Sequence, residues 1–129
     1  MSSIFTKIIN GEIPSYKIAE DVHFYAFLDS NPNAKGHTLV VPKKEVNKLF
    51  DLDEVTYASL MKFTYKVAKA LEKSIPCKRI GMTVVGLEVP HAHVHLIPIN
   101  KISDINFVKK ITMEPLEFIA LSKKISTNF

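Results

Sequence analysis

The chain has 129 residues, 47% of them hydrophobic, and a formal charge of +4, enough for one domain, residues 1–129, with a sizeable core and too little for two. Its modest basic excess favours anionic ligands, but the lysine pairs are scattered without interleaved aromatics, so nucleic acid is not an expected partner. No stretch approaches the roughly 18 apolar residues of a membrane span, no signal peptide is read at the start, and Cys77 alone allows no internal disulfide, which together lead us to expect a cytoplasmic protein without membrane contact.

Ile4, Phe5, Ile8 and Ile9 at helical spacing, stopped by Asn10-Gly11, predict a short opening helix. Residues 16–19 and 22–28 are rich in β-branched and aromatic side chains and read as strands joined by a hairpin turn at Glu20-Asp21, with His23 exposed. Turn formers fill residues 29–36, and residues 37–42 read as a buried strand ended by Pro42. Asp51-Leu52-Asp53-Glu54 resembles a capping box ahead of the longest helix, which carries Leu60, Phe63, Val67 and Leu71 on one stripe and Tyr57, Met61, Tyr65 and Ala68 on a second. So wide a belt needs two partners, the sheet and either another helix or another subunit, and a homodimer is the expectation. Residues 79–85 and 92–98 read as the next strands, with the active edge at the loop between them. Glu114-Pro115 opens a last helix facing the core with Leu116, Ile119 and Leu121 or Ile125. The region from Lys101 onward carries no further functional reading, and the pair Lys109-Lys110 reads as a solvated face.

The chemistry concentrates in three alternating histidines, His91, His93 and His95, which run into Leu96-Ile97-Pro98. On a strand they share one face, about 6.6 Å apart. An interior strand face normally carries Val, Ile or Leu, and burying three titratable rings together is unfavourable, so a functional cluster is favoured over core histidines. Zinc would have to sit about 2.0–2.1 Å from each nitrogen, yet the first and third Cα atoms of the run are roughly 13 Å apart on an extended strand. Two rings can chelate, but the flanking sequence offers no acidic cluster beyond Glu88. A neutral His93 suits attack on phosphorus, one nitrogen acting as nucleophile while the other, as N–H, is held by an acceptor. His91 and His95, or amides near them, would then hold the non-bridging oxygens. His37, at a loop-to-strand junction, is a candidate fourth imidazole.

The run from His91 to Ile97 resembles the signature of the histidine triad family, His-X-His-X-His-X-X with X apolar. Further landmarks agree: Ile4-Phe5 and Lys7-Ile8-Ile9, Glu12-Ile13-Pro14, Ala26-Phe27 with Asp29, Pro32, and the run from Gly36 to Lys43. The resemblance implies an α+β fold with a five-stranded antiparallel sheet, one long helix and short N- and C-terminal helices, two such sheets being joined in a dimer. It implies hydrolysis of purine nucleoside 5′-phosphoramidates or related nucleotidyl compounds through a nucleotidylated His93, with no cofactor. Asp29 would hold the ribose hydroxyls, Ile4, Phe5, Ile8, Ile13 and Phe27 would line the base pocket, and His37, His91 and His95 would surround the phosphate.

The chain departs from the family pattern in three places; at one of them Leu28 and Ser30 flank Asp29, where the base-contacting residues of relatives often differ. Where zinc-containing relatives carry two cysteines and a histidine, it has Ser3, Thr6 and Glu45, so no metal is expected. Three residues before the first motif histidine, where many relatives carry Ser, Thr or Gln, it has Glu88, a carboxylate beside a phosphate site. Two alternatives follow: a nucleotide-binding module with little or no turnover, and a metal-dependent hydrolase.

Overall fold

Two strands buried over their whole length form the middle of the protein, β2 (Phe24–Leu28) and β3 (Thr38–Pro42). Unbroken apolar runs of this kind need cover on both faces. The structure is a computed structural model describing residues 2–129. With β1 (Lys17–Glu20), β4 (Arg79–Thr83) and β5 (Val94–Ile99) these strands make the expected five-stranded sheet, ordered β1-β2-β3-β5-β4 and antiparallel at every step.

The pairing register sorts the side chains onto two faces. Ala26 lies beside Val40 and Val40 beside Val94, while Phe27 lies beside Leu39 and Leu39 beside His95. The first face is covered by the long helix α2 (Glu54–Ser74) and the closing helix α3 (Pro115–Thr127) in one apolar cluster that includes Leu60, Val67, Leu71, Phe118, Leu121 and Ile125. Each large side chain fully buried there contributes roughly 1.5–3 kcal/mol. The second face carries Phe5 from α1 (Ile4–Ile9) with Tyr25, Phe27, Leu39 and Val41, and the same face bears His95.

Several sequence readings are corrected at this level. Asp53, not Asp51, caps α2, its carboxylate accepting from Thr56 N at 2.7 Å, while Asp51 closes a 3-10 turn over Leu49–Asp51. The first hairpin turns at residues 21–23, because Asp21 Oδ1 accepts from the backbone of both His23 and Phe24; Val22 is left exposed outside the strand. The inward face of α3 is Phe118, Leu121, Ser122 and Ile125, whereas Leu116 and Ile119 face solvent. With α3 packed beside α2, the second partner of the apolar belt belongs to the same chain, and Tyr65 is simply exposed. The sheet ends in two edge strands, β1 and β4, and the neighbourhood of β4 exposes Met82, Val84, Val85 and Leu87.

Candidate active site

Proline sets where the triad departs from the ladder. Pro42 has no N–H to continue the pairing of β3 with β5, and the ladder runs only from Thr38 opposite Leu96 to Val40 opposite Val94. His91 and His93 therefore lie in a lead-in before β5, and His95 alone sits within the strand. The expectation of three imidazoles on one regular strand gives way to a strand residue and two turned by hydrogen bonds. The rings remain neighbours, with the His93 and His95 centroids 4.9 Å apart.

Hydrogen bonds to backbone fix the proton on each neutral ring. His93 Nδ1 lies 2.8 Å from the His91 carbonyl; a carbonyl only accepts, so Nδ1 carries the proton and Nε2 keeps its lone pair. The backbone N–H of Asn33 donates to His37 Nδ1 at 2.9 Å, which puts the His37 proton on Nε2, and that proton goes to His95 Nδ1 at 2.9 Å. His95 is thereby left with an N–H on Nε2. His91 donates from Nε2 to the Pro42 carbonyl at 2.7 Å and accepts on Nδ1 from the Ser3 hydroxyl at 2.7 Å.

The four histidines thus divide into two layers. Both nitrogens of His37 and of His91 are taken, and both rings are fully buried. Both were expected around the phosphate, but neither ring has an N–H free for one: His37 bonds the His95 ring, and the His91 carbonyl accepts from His93. Burial is also what keeps them uncharged: it pushes His37 down to about 3 and His95 to about 4, and lowers His91. Neighbouring cationic charge at His95, Lys110 and His93 adds to the effect on His37.

His93 and His95 line a cavity of about 510 Å³ with Asp29, Glu88, Phe107 and Lys110. Asp29 directly follows β2, its Oδ1 accepting from Asn31 N at 2.9 Å and its Oδ2 lying 3.6 Å from His37 Nε2. Burial raises the Asp29 carboxyl above its ordinary value, and the bond from Asn31 and the charge of Lys110 oppose that. Glu88 is exposed at the rim. Gly36 holds the turn into His37 at φ +96°, where an added Cβ would collide with the Ile75 side chain.

Phe107 and Lys110 line the cavity although neither was among the residues expected at the site. The strap that follows β5 is tied to the loop before His37: Asn33 Nδ2 donates to the Asp104 carbonyl at 3.4 Å, Lys110 Nζ to Asn33 Oδ1 at 2.8 Å, and Ile111 N to the Pro32 carbonyl at 2.9 Å. The Phe107 and His95 rings meet edge to face, 4.7 Å between centroids, and Lys110 Nζ lies over the Phe107 ring, 4.9 Å from its centroid. Lys110 is therefore half-buried at the cavity rather than part of a solvated face. Nothing in the local spacing marks it, because tertiary bonds across 77 residues place it.

The residues expected to line a base pocket separate. Phe5 and Phe27 are buried in the apolar cluster of the second face, with Ile8 packed on it, and the Phe5 ring lies 4.9 Å from that of His93. Ile13 is half-buried outside that cluster. Ile4 is 48% exposed, turned outward by its place at the start of α1.

Two groupings bear on metals. Ser3, Thr6 and Glu45 do converge, but as a hydrogen-bonded set: Ser3 N and Thr6 Oγ1 each donate to Glu45 Oε1 at 2.7 Å. Zinc is held by thiolate, imidazole and carboxylate, and two neutral hydroxyls already committed to other partners do not fit it. The second grouping is Asp29, His37 and His95, whose ligand atoms lie within 4.8 Å of one another. It supplies the carboxylate that local spacing around the triad lacked. A cation there would have to displace the proton shared by the two rings.

Residues 10–102 match the HIT domain family. The chain is 38% identical over 134 residues to an uncharacterized HIT-like protein of Borreliella burgdorferi, covering 97% of this chain and 96% of that one. It is 40% identical over 96 residues to the adenosine 5′-monophosphoramidase HNT1 of Saccharomyces cerevisiae, covering 74% of this chain and 61% of that one. A crystal structure of a HIT-like protein from Bartonella henselae superposes with a TM-score of 0.86 at 33% identity, over 99% of this chain and 96% of that one. The protein belongs to the HIT family, and its five-stranded antiparallel sheet with helices matches the fold of the solved HIT structures.

Proposed function

We propose that this protein hydrolyses purine nucleoside 5′-phosphoramidates or related nucleotidyl compounds through a nucleotidyl-His93 intermediate. The observation that carries the reading is the bond from His93 Nδ1–H to the His91 carbonyl, which leaves a lone pair on Nε2 of a ring that lines the cavity. Nε2 attacks the α-phosphorus, the phosphorus–nitrogen bond breaks, and the amine leaves with the electron pair and takes a proton from solvent. Water then attacks the nucleotidyl-histidine, releasing the nucleoside monophosphate and restoring the lone pair. His95 Nε2–H, in the same cavity, donates to the phosphoryl oxygens as charge builds there. Asp29 is assigned to the ribose hydroxyls, and Phe5, Ile8 and Phe27 to the apolar ground of the base. That a relative at 40% identity bears the name adenosine 5′-monophosphoramidase supports the substrate class.

A fluorogenic adenosine phosphoramidate, assayed with and without chelator, tests this reading. Hydrolysis unaffected by chelator is expected. Activity lost to chelator and restored by zinc would favour a metal at Asp29, His37 and His95, the one second reading with a structural basis. Tight nucleotide binding without product would make the protein a binding module.

The free edge of β4, with Met82, Val84, Val85 and Leu87 exposed beside it, supports a homodimer that joins two sheets edge to edge. Light scattering behind size exclusion at micromolar concentration is expected to return twice the chain mass, and monomer alone would refute the pairing. No helix among the described residues is long and apolar enough to cross a membrane, and Cys77 is free.

A further inference from the structure

Ser3 does two things with one hydroxyl. Its oxygen caps α1, accepting from Thr6 N at 3.0 Å, and its proton goes to His91 Nδ1 at 2.7 Å. Its own N–H is held by Glu45 Oε1, which also takes the Thr6 hydroxyl, each at 2.7 Å. That N–H, the largest influence on the group, holds the Glu45 carboxyl below its ordinary range. Ser3 and His91 are buried, so water does not compete for their bond. The cluster ties together three separate pieces of chain: the start of α1, the residues after β3 and the lead-in to β5.

The consequence reaches the nucleophile in two links. A proton donated onto His91 Nδ1 requires the His91 proton to sit on Nε2, where the Pro42 carbonyl receives it. A ring pinned at both nitrogens fixes the backbone of residue 91, and the carbonyl of residue 91 is the acceptor that keeps the His93 proton on Nδ1. We propose that Ser3 is a positioning residue for His93, acting through His91, and that Thr6 and Glu45 clamp it as a metal-free latch. This rests on His93 being the nucleophile, yet the latch itself can be read without substrate.

Proton positions on the rings are observable by long-range 1H–15N correlation of the imidazoles, with melting curves as the check on folding. The wild-type protein is expected to show His91 protonated on Nε2 and His93 on Nδ1. Ser3→Ala removes the donor, and the His91 signals should move toward a mixture of tautomers while kcat falls at least roughly tenfold and KM stays within about twofold. Ser3→Thr, which keeps a hydroxyl, should restore both. Ser3→Asp keeps a good helix cap but has no proton to give, so a capping role alone predicts normal turnover and the latch predicts the alanine phenotype. His91 protonated on Nδ1 in the wild type, unmoved ring signals in Ser3→Ala, normal turnover in a variant whose signals have moved, or one zinc per chain by elemental analysis would each overturn the proposal. If the wild type hydrolyses no phosphoramidate, the proposed reaction fails while the ring signals still decide whether the latch exists.

Discussion

Replacing His93 with alanine is expected to abolish phosphoramidate turnover, lowering kcat by at least roughly 10⁴-fold, the scale seen when an attacking group is removed outright. The variant should bind adenosine monophosphate within about fivefold of the wild type, because Asp29 and His95 remain at the cavity and only the ring that forms the new bond is gone. The fold should survive: the lost ring leaves the His91 carbonyl without its partner, which costs roughly 1–3 kcal/mol. Single-turnover kinetics with mass detection of the nucleotidylated chain, beside calorimetric nucleotide binding, separates these effects. A variant that retains near-wild-type turnover would show that another group attacks phosphorus. A variant that neither binds nor turns over would place His93 in substrate binding instead. His95→Ala offers a contrast, since it removes a donor rather than the nucleophile.

The parts of this molecule legible in the sequence are those governed by local pattern. The burial of β2 and β3 follows from unbroken apolar runs, α2 from its stripe of Leu60, Phe63, Val67 and Leu71, and the triad from its alternation. Errors arose where a competing bond overrode the pattern. Alternation alone puts His91 and His93 on a strand, yet Pro42 ends the ladder and its carbonyl takes the His91 ring. Helical spacing alone allows Leu116 and Ile119 on the core face of α3, but Phe118, Leu121 and Ile125 bury the larger cluster. Nothing local distinguishes Lys110 from Lys109, because its position depends on Asn33 and Phe107. Likewise Ser3, Thr6 and Glu45 were legible only as departures from a family pattern; that they form one bonded cluster with His91 requires contacts across as many as 88 residues.

Acid should unfold this protein earlier than its carboxylates alone would bring about. His37 and His95 have values near 3 and 4 in the folded state because burial excludes their charged forms, whereas in the unfolded chain they titrate near 6.5. Between those values the unfolded state binds more protons than the folded one, so stability rises with pH there and is lost as pH falls below about 6.5 toward 4. The two rings together account for a loss on the order of 5 kcal/mol across that window, comparable with the whole stability of a small domain. Groups facing them sharpen the effect: Lys110 and His93 disfavour their protonation, and Asp29, its own carboxyl raised by burial, offers less compensating charge as it protonates. Urea midpoints measured from pH 8 to pH 4 should therefore be flat above about 7 and fall steeply below 6. In His37→Asn, which removes the titrating ring, the midpoint should start lower at pH 8 and fall less steeply with acid. An equal slope in that variant would show that His37 does not carry the effect, and the acid response would then come from His95 or from carboxylates such as Glu20 and Asp104, which ion pairing and backbone bonds hold below their ordinary values.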